Sequence, residues 1–252
     1  MTSEFEGPGT AIVTGGAKRI GAAMVRALAD DGWHVLIHCN RSRAEAEALA
    51  AEIGNATVVS ADLADPDAAD AIMAAADGLP PARLLVNNAS LFTYDAPLNF
   101  TVEDWDAHHA VNLRAPALLT RAFAARAEGG GVVINLLDAK LLQPNPDFFT
   151  YTVSKMGFAG LTELYARALA ERRIRVCGIA PSVTLVSGPQ SRENFDAVHK
   201  MNALERGVDV AEIVAALRFI LSVPTLTGQT ITIDGGQRFL GLPRDVQYLE
   251  SK

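Results

Sequence analysis

The sequence has few cysteines and no concentration of basic charge. Its two cysteines, Cys39 and Cys177, lie in apolar runs without a C-x-x-C partner, which argues against a disulfide framework and a zinc site. We therefore expect buried, reduced thiols and no metal. The formal net charge is −7, and no local block of lysine or arginine offsets it, so nucleic acid and anionic lipid are not expected partners.

Long apolar runs and a targeting signal are also missing. The N-terminus, MTSEFEGPGT, has neither a basic start nor an apolar stretch, and the chain has no run of about 18 apolar residues of the kind that crosses a bilayer. These features predict a soluble, cytoplasmic protein without a membrane partner.

The chain instead contains short apolar runs that alternate with alanine-rich stretches of helical character. Runs that are apolar nearly throughout are typical of strands buried on both faces of a parallel sheet. The seven predicted strands cover residues 10–14, 34–38, 56–60, 83–87, 131–137, 174–180 and 229–234. With 252 residues, the chain is predicted to be one α/β domain over 1–252, a Rossmann fold with a doubly wound seven-stranded parallel sheet and helices on both faces.

Several residues mark helix starts and long connections. Pro66 predicts the start of one helix, Thr101 with Asp104 a capping box before a helix over 102–127, and Asp209 the start of another. The segment of about 181–207 has no clear period and is predicted to be a substrate loop, with a possible short helix around 190–200. The apolar tail 239–252 is predicted to pack either on a neighbouring subunit or on its own subunit.

A glycine-rich turn follows the first strand. Gly15, Gly16 and Gly21 stand where the backbone can approach a pyrophosphate at a helix N-terminus, although glycines also occur in ordinary βα turns. At the end of the second strand, Arg41 and Ser42 replace the acidic residue that holds a ribose 2′-hydroxyl. Because both can donate hydrogen bonds to a 2′-phosphate, NADP(H) is favoured over NAD(H), the alternative being a solvated arginine.

Five motifs in order resemble the short-chain dehydrogenase/reductase family over essentially the whole chain. They are TGGAKRIG, ADL at 61–63, NNAS at 87–90, Asn112, and YTVSK. The resemblance implies that the first motif binds the cofactor pyrophosphate, that Asp62 meets the adenine, and that the NNAS segment lines the nicotinamide. The cofactor-binding residues expected from it are Gly15, Lys18, Arg19, Ile20, Arg41, Ser42, Asp62, Leu63, Asn88, Ala89, Ser90, Tyr151, Lys155, Pro181 and Ser182.

Three positions depart from the general family pattern. Arg19 replaces the middle glycine of the loop, Ser90 replaces the glycine of NNAG, and Asp138 occupies the position of the catalytic serine. Together they are similar to the pteridine reductases and the related dihydromonapterin and dihydrofolate reductases of short-chain type. The resemblance implies a pterin or folate substrate bound by Arg19, Ser90, Phe92, Asp138 and Tyr151, with Phe92 stacking on the ring; a simple core role for Phe92 is equally compatible with the sequence.

Tyr151 and Lys155 are four residues apart on one predicted helix face. A phenol with a pKa near ~10 is a reluctant proton shuttle, and an adjacent ammonium together with the positive ring of the cofactor would favour its anion. Tyr151 is therefore predicted to transfer the proton. The resemblance implies that Lys155 lowers the pKa of Tyr151 and binds the hydroxyls of the nicotinamide ribose. It also implies that Asn112 lies at a helix kink and takes part in a water-mediated proton relay. The alternative is that Asn112 only caps the helix or satisfies hydrogen bonds in the core.

Asp138 follows the fifth strand, at the edge of the sheet where doubly wound folds bind their ligands. A carboxyl group can transfer a proton, which suits reduction of a pterin C=N bond, where hydride goes to carbon and a proton to nitrogen. We therefore predict that Asp138 and Tyr151 share proton delivery in an NADPH-dependent pteridine reductase. A carbonyl reductase acting on 3-oxoacyl or sugar substrates is the second hypothesis, and a cofactor-binding protein without turnover the third. The family also suggests a homotetramer.

Overall fold

A computed structural model describes residues 8–187 and 190–249. Seven parallel strands form one sheet in the order β3-β2-β1-β4-β5-β6-β7. The strands are β1 (Thr10–Val13), β2 (His34–Cys39), β3 (Ala56–Ser60), β4 (Ala82–Asn87), β5 (Gly131–Leu136), β6 (Ile174–Pro181) and β7 (Thr230–Ile233). The prediction of seven strands is confirmed. β1, β2, β5 and β6 are nearly completely buried and β4 is buried over its last four residues, as expected for a sheet covered on both faces.

Helices cover both faces of the sheet. They are α1 (Arg19–Asp30), α2 (Arg43–Ile53), α3 (Ala68–Ala74), α4 (Val102–His109), α5 (Ala115–Arg126), α6 (Phe149–Leu169), α7 (Arg192–Val198) and α8 (Val210–Ser222). One hydrophobic core contains buried side chains of α1, α2 and α8, and a second contains those of α3, α5 and α6. The doubly wound Rossmann architecture is therefore confirmed, and both cysteines are buried and free.

The predicted helix starts are confirmed at two of three positions. Thr101 forms a capping box with Asp104, and Asp209 forms one with Glu212. The prediction at Pro66 was wrong by two residues, because Pro66 lies in a turn and α3 begins at Ala68. The single helix expected over 102–127 is interrupted, since a π-helical turn over Ala110–Arg114 separates α4 from α5.

The predicted substrate loop contains a helix, and the described part of the tail makes definite contacts. The loop after β6 contains α7, which confirms the short helix around 190–200, while Gly188 and Pro189 lie outside the described residues. The described part of the tail packs on its own chain: Val246 is buried, and Arg244 pairs with Asp147. Residues 250–252 of the predicted tail are also outside the described residues.

Candidate active site

The turn after β1 has the backbone that a phosphate loop needs. Gly15 and Arg19 both have positive φ, at 61° and 56°, so Arg19 occupies a left-handed conformation that ordinarily favours glycine. A Cβ on Gly21 would lie 2.2 Å from the carbonyl oxygen of Gly15, so only glycine fits there. The first turn of α1 consequently packs tightly against the glycine loop, and its N-terminus opens into a cavity.

Thr14, which sequence reasoning did not single out, joins this turn to the NNAS segment. Its hydroxyl accepts hydrogen bonds from the backbone N–H groups of Asn88 and Ala89, both at 3.0 Å. The Asn88 side chain donates to the carbonyl oxygens of Thr14 and Gly15 at 2.8 and 3.1 Å. Asn88, predicted as a cofactor contact, therefore also shapes the glycine loop.

His38 is a second residue that sequence reasoning missed. It is buried at the end of β2, where Nδ1 accepts a hydrogen bond from the Gly15 N–H at 3.2 Å and Nε2 lies 3.0 Å from the carbonyl oxygen of Ala61. One nitrogen must accept and the other must donate, so the ring is neutral. Burial lowers the pKa of His38, although the backbone bond to Ala61 and the charge of Asp62 oppose the shift.

A cavity of about 730 Å³ runs along the carboxyl ends of the strands. Of the predicted cofactor and substrate residues, those that line it are Gly15, Lys18, Arg19, Ile20, Asp62, Leu63, Asn88, Ala89, Ser90, Phe92, Asp138, Tyr151, Lys155, Pro181 and Ser182. Asn112, Arg41 and Ser42 are not among the lining residues. The cavity is also lined by residues that were not predicted, notably Asn40, Lys140, Thr184, Gln190 and the tail residues Leu242 and Arg244–Gln247.

Asp138 and Tyr151 meet inside this cavity. The Tyr151 hydroxyl donates a hydrogen bond to Oδ2 of Asp138 at 2.7 Å, and the Lys140 N–H donates to Oδ1 at 2.8 Å. The second bond caps a short 3₁₀ turn over Ala139–Leu142, which fixes the carboxyl group at the cavity wall. The two predicted catalytic residues are thus in direct contact.

Burial raises the pKa of both members of this pair. Desolvation raises the pKa of Asp138, although hydrogen bonds from Lys140 and Tyr151 and the charge of Lys155 oppose it. The pKa of Tyr151 is raised well above its ordinary value by burial and by the neighbouring Asp138 carboxylate. The expectation that Lys155 lowers the pKa of Tyr151 is therefore not met in this structure, since burial and Asp138 outweigh any effect of the ammonium.

Lys155 is almost completely buried beside the pair. Its Nζ donates to the Leu136 carbonyl oxygen at 2.8 Å and lies 5.8 Å from the centre of the Tyr151 ring. Desolvation lowers the pKa of Lys155 to about 8, with Asp138 acting in the opposite direction. The ammonium is held close to the carboxylate without a direct ion pair.

Asn112 lies in the π-helical turn, which places its side chain against the segment after β4. Its amide accepts from the Leu91 N–H at 2.8 Å and donates to the Leu91 carbonyl at 2.9 Å and to the Ser154 hydroxyl at 3.1 Å. The helix irregularity that the resemblance suggested is present, and such π turns are frequent near functional sites. With these three bonds, Asn112 ties Leu91 to α6, and its part in a proton relay stays a prediction.

The remaining predicted residues have varied surroundings. The Phe92 ring stacks on Phe148 at 4.2 Å and meets Tyr151 edge-on at 4.7 Å. The Arg19 guanidinium donates to the Val186 carbonyl in the loop after β6, whereas Lys18 pairs with Glu45 at 2.6 Å. Arg41 is exposed and Ser42 half-buried at the start of α2, so their contact with a 2′-phosphate stays a prediction.

Within residues 8–187 and 190–249, no group of three or more His, Cys, Asp or Glu side chains is arranged to hold a metal ion. In the same part of the chain, no helix is long and apolar enough to cross a bilayer.

Residues 9–196 match the family model of the short chain dehydrogenases. The chain belongs to this family. Among solved structures of short-chain dehydrogenases and their relatives, it is similar to FolM alternative dihydrofolate reductase 1 from Brucella canis, complexed with NADP. The identity is 40% and the TM-score 0.89, covering 94% of this chain and 96% of that one.

Curated relatives of the short-chain dehydrogenase include proteins with different names. Pteridine reductase 1 of Leishmania tarentolae is 31% identical, over 94% of this chain and 98% of the relative. A probable galactose dehydrogenase, GalD, of Rhizobium meliloti is 34% identical, over 89% and 93%. The relatives thus agree on the family and differ in substrate.

Proposed function

We propose that this short-chain dehydrogenase uses NADPH to reduce a C=N bond of a pterin, of dihydropterin, dihydromonapterin, biopterin or dihydrofolate type. The observation that carries the proposal is the 2.7 Å hydrogen bond between Tyr151 and Asp138, in the same cavity as the glycine turn. The similarity to the FolM reductase of Brucella canis and to pteridine reductase 1 supports it.

The cofactor assignment depends on the fit of the first turn. The left-handed Gly15 and the tight contact at Gly21 bring the backbone to the N-terminus of α1, which suits a pyrophosphate. Asp62, Leu63 and Asn88–Ser90 line the same cavity as this turn. When bound there, NADPH would supply the hydride; NADP is the ligand in the similar FolM structure.

The proton is the contribution of the protein. Because burial raises the pKa values of both Asp138 and Tyr151, each group holds its proton to a higher pH than it would in water. A general acid in this state can protonate the ring nitrogen as carbon receives hydride. Lys155 stabilises the negative charge that remains on Asp138, since its ammonium lowers the pKa of that carboxyl group.

Three further residues are proposed to contact the pterin. Phe92 presents its ring beside Tyr151, where a flat heterocycle can stack on an aromatic side chain. Ser90 and Arg19 line the same cavity, and both carry donors for the polar edge of the ring. Arg19 also connects the first turn to the substrate loop through Val186.

A carbonyl reductase is the second candidate, because the sequence identity of this chain to GalD, 34%, is higher than its identity to pteridine reductase 1, 31%. A carbonyl substrate takes its proton on oxygen, which the Tyr151 hydroxyl could supply by itself, so a carbonyl reductase would not require Asp138. NADPH oxidation should therefore be followed with 7,8-dihydrobiopterin, dihydromonapterin and dihydrofolate beside 3-oxoacyl esters and sugars. We expect turnover of a pterin, with NADPH preferred over NADH. Turnover of ketones alone would support the carbonyl reductase, and tight NADPH binding without turnover would support a binding protein.

Assembly and location complete the proposal. Val102 on α4 and Met156 and Leu164 on α6 are exposed apolar side chains, as subunit interfaces often contain. We propose a homotetramer and a cytoplasmic location, and light scattering of the purified protein tests the assembly.

A further inference from the structure

The tail after β7 closes one side of the cavity from within the same chain. Leu242 and Arg244–Gln247 line the cavity that contains Asp138 and Tyr151. Val246 is buried, and the Tyr248 ring packs against Tyr94 and Phe148. The Asn194 side chain on α7 donates to the Gln247 carbonyl oxygen at 3.2 Å. The tail segment, residues 242–248, therefore bridges the substrate loop and the aromatic residues that surround Phe92.

Four charged residues fix the tail segment, and we call them the latch: Lys140, Asp147, Arg244 and Asp245. The Asp147 carboxylate is nearly completely buried and accepts two bonds from the Arg244 guanidinium, at 2.8 and 3.1 Å. It also accepts one bond from the Asp245 N–H at 2.8 Å. The Asp245 carboxylate lies 3.5 Å from the Lys140 ammonium. Bidentate, charge-assisted pairs of this kind form only in a narrow range of geometries.

The latch is attached directly to the catalytic residues. Lys140 belongs to the 3₁₀ turn that Asp138 caps, and its backbone N–H donates to Asp138. Asp147 precedes Phe148, the ring on which Phe92 stacks. A shift of the tail segment would therefore change the space beside Asp138 and the position of Phe92 together.

The cavity has limited room and balanced charge at this wall. Its volume of about 730 Å³ is typical of a pocket for one drug-sized ligand, and under the proposed function it must hold a dinucleotide and a bicyclic ring. Arg244 and Lys140 are both paired with carboxylates in the latch, as Arg238 is with Asp234 at 2.9 Å. These cations are therefore already neutralised and offer little to an anionic substrate tail.

We propose that the tail segment is the outer wall of the substrate site and that the latch restricts the site to pterins with a short, uncharged side chain. This inference rests on the proposed function, because it concerns which pterin that site accepts. The wall is built by the chain that carries Asp138, so selectivity is a property of each subunit.

The test removes the latch without changing net charge. The double variant Asp147→Asn with Arg244→Met loses one charge of each sign, and Asp31→Asn with Arg218→Met is the matched control. Arg218 forms a bidentate pair with Asp31 at 2.8 and 2.9 Å, and neither residue lines the cavity. We would measure kcat and KM for 7,8-dihydrobiopterin and 7,8-dihydrofolate with NADPH, and hydrogen exchange over the tail segment.

In the latch variant we expect faster exchange of the tail amides. The ratio of kcat/KM for dihydrofolate to that for dihydrobiopterin should rise about tenfold or more, through KM, while the KM of NADPH changes less than about twofold. The control should keep the ratio of the parent enzyme. If the tail exchanges faster but the ratio of kcat/KM values is unchanged, the tail segment does not select the substrate. If the tail amides stay protected from exchange, the latch does not hold the tail segment in place.

Two further measurements keep the result interpretable. If the double variant does not fold, Arg244→Met alone removes the half-exposed partner and is judged by the same ratio. If the parent enzyme turns over neither pterin, the proposed function fails, and binding of biopterin and folate in the presence of NADP⁺ tests the wall by itself. A change in binding ratio would support the wall, whereas an unchanged ratio, or no binding of either compound, would overturn it.

Discussion

Lys155→Met should abolish NADPH oxidation and yet leave the nucleotide-free protein about as stable as the parent at pH 7. Replacement of a buried hydrogen-bonded group usually destabilises a protein, and Lys155 is 2% exposed. The charged ammonium, however, is unfavourable in the protein interior, because desolvation lowers its pKa to about 8. Methionine has a similar length and requires no charge in the interior.

The magnitude follows from the pKa. A lysine in the unfolded chain titrates near ~10.4, so a folded value of about 8 means that the charged form costs on the order of 3 kcal/mol at pH 7. Loss of the bond to the Leu136 carbonyl leaves a buried acceptor, which costs about 1–3 kcal/mol. The two effects nearly cancel at pH 7. Lys155→Ala adds a cavity and should be less stable than Lys155→Met by about 2–5 kcal/mol.

The contribution of Lys155 to stability should increase as the pH rises, whereas that of a lysine in a stabilising ion pair decreases. Between pH 8 and 10.4 the unfolded chain binds more protons than the folded chain, so the contribution of Lys155 to stability rises with pH. From pH 7 to pH 9.5 the parent should gain about 2 kcal/mol relative to Lys155→Met, or about 4–8 °C in Tm for a chain of this size. Thermal unfolding followed by circular dichroism at both pH values measures the difference. An equal Tm difference at pH 7 and pH 9.5 would refute the depressed pKa.

Three other predictions concern residues that shape the site. Gly21→Ala should weaken NADPH binding by about tenfold or more in a fluorescence titration, because the added Cβ meets the Gly15 carbonyl at 2.2 Å; Gly160→Ala, where a Cβ meets nothing within 4 Å, should bind normally and gain up to about 1 kcal/mol in stability. Asn112→Ala should lower the free energy of unfolding, measured by urea denaturation, by about 1–3 kcal/mol, since the part-buried N–H and carbonyl of Leu91 and the buried Ser154 hydroxyl lose their partner. Burial lowers the pKa of His38, so as the pH falls the unfolded chain binds a proton at this residue before the folded chain does. Stability should therefore fall as the pH drops below about 6.5. His38→Asn should reduce the loss of Tm between pH 7.5 and 5.5, and an equal loss in the variant would contradict this prediction.

The strands and the Asp138–Tyr151 contact were accessible from the sequence for a common reason. Runs buried on both faces are nearly all apolar, and residues that follow parallel strands meet at one edge of the sheet. The place of Asp138 directly after β5 and of Tyr151 on α6 could therefore be predicted before any side chain was placed.

The parts that sequence reasoning missed depend on side-chain direction or on distant pairing. His38 resembles any polar residue in a strand until the register places its ring under Gly15. The pairing of Arg244 with Asp147 joins residues 97 positions apart, and nothing local in either segment indicates the other. The pKa of Tyr151 was expected in the wrong direction because spacing reveals a nearby lysine but not the extent of burial.

The central claim is that Asp138 delivers or shares the proton of pterin reduction. The most direct measurement compares kcat/KM for 7,8-dihydrobiopterin in the parent enzyme and in Asp138→Ser, at saturating NADPH and with NADPH affinity measured in both. Our account predicts a loss of about a hundredfold or more, as expected for removal of a general acid, with NADPH affinity unchanged. A serine variant that retains pterin reduction, or gains ketone reduction without losing it, would contradict the account.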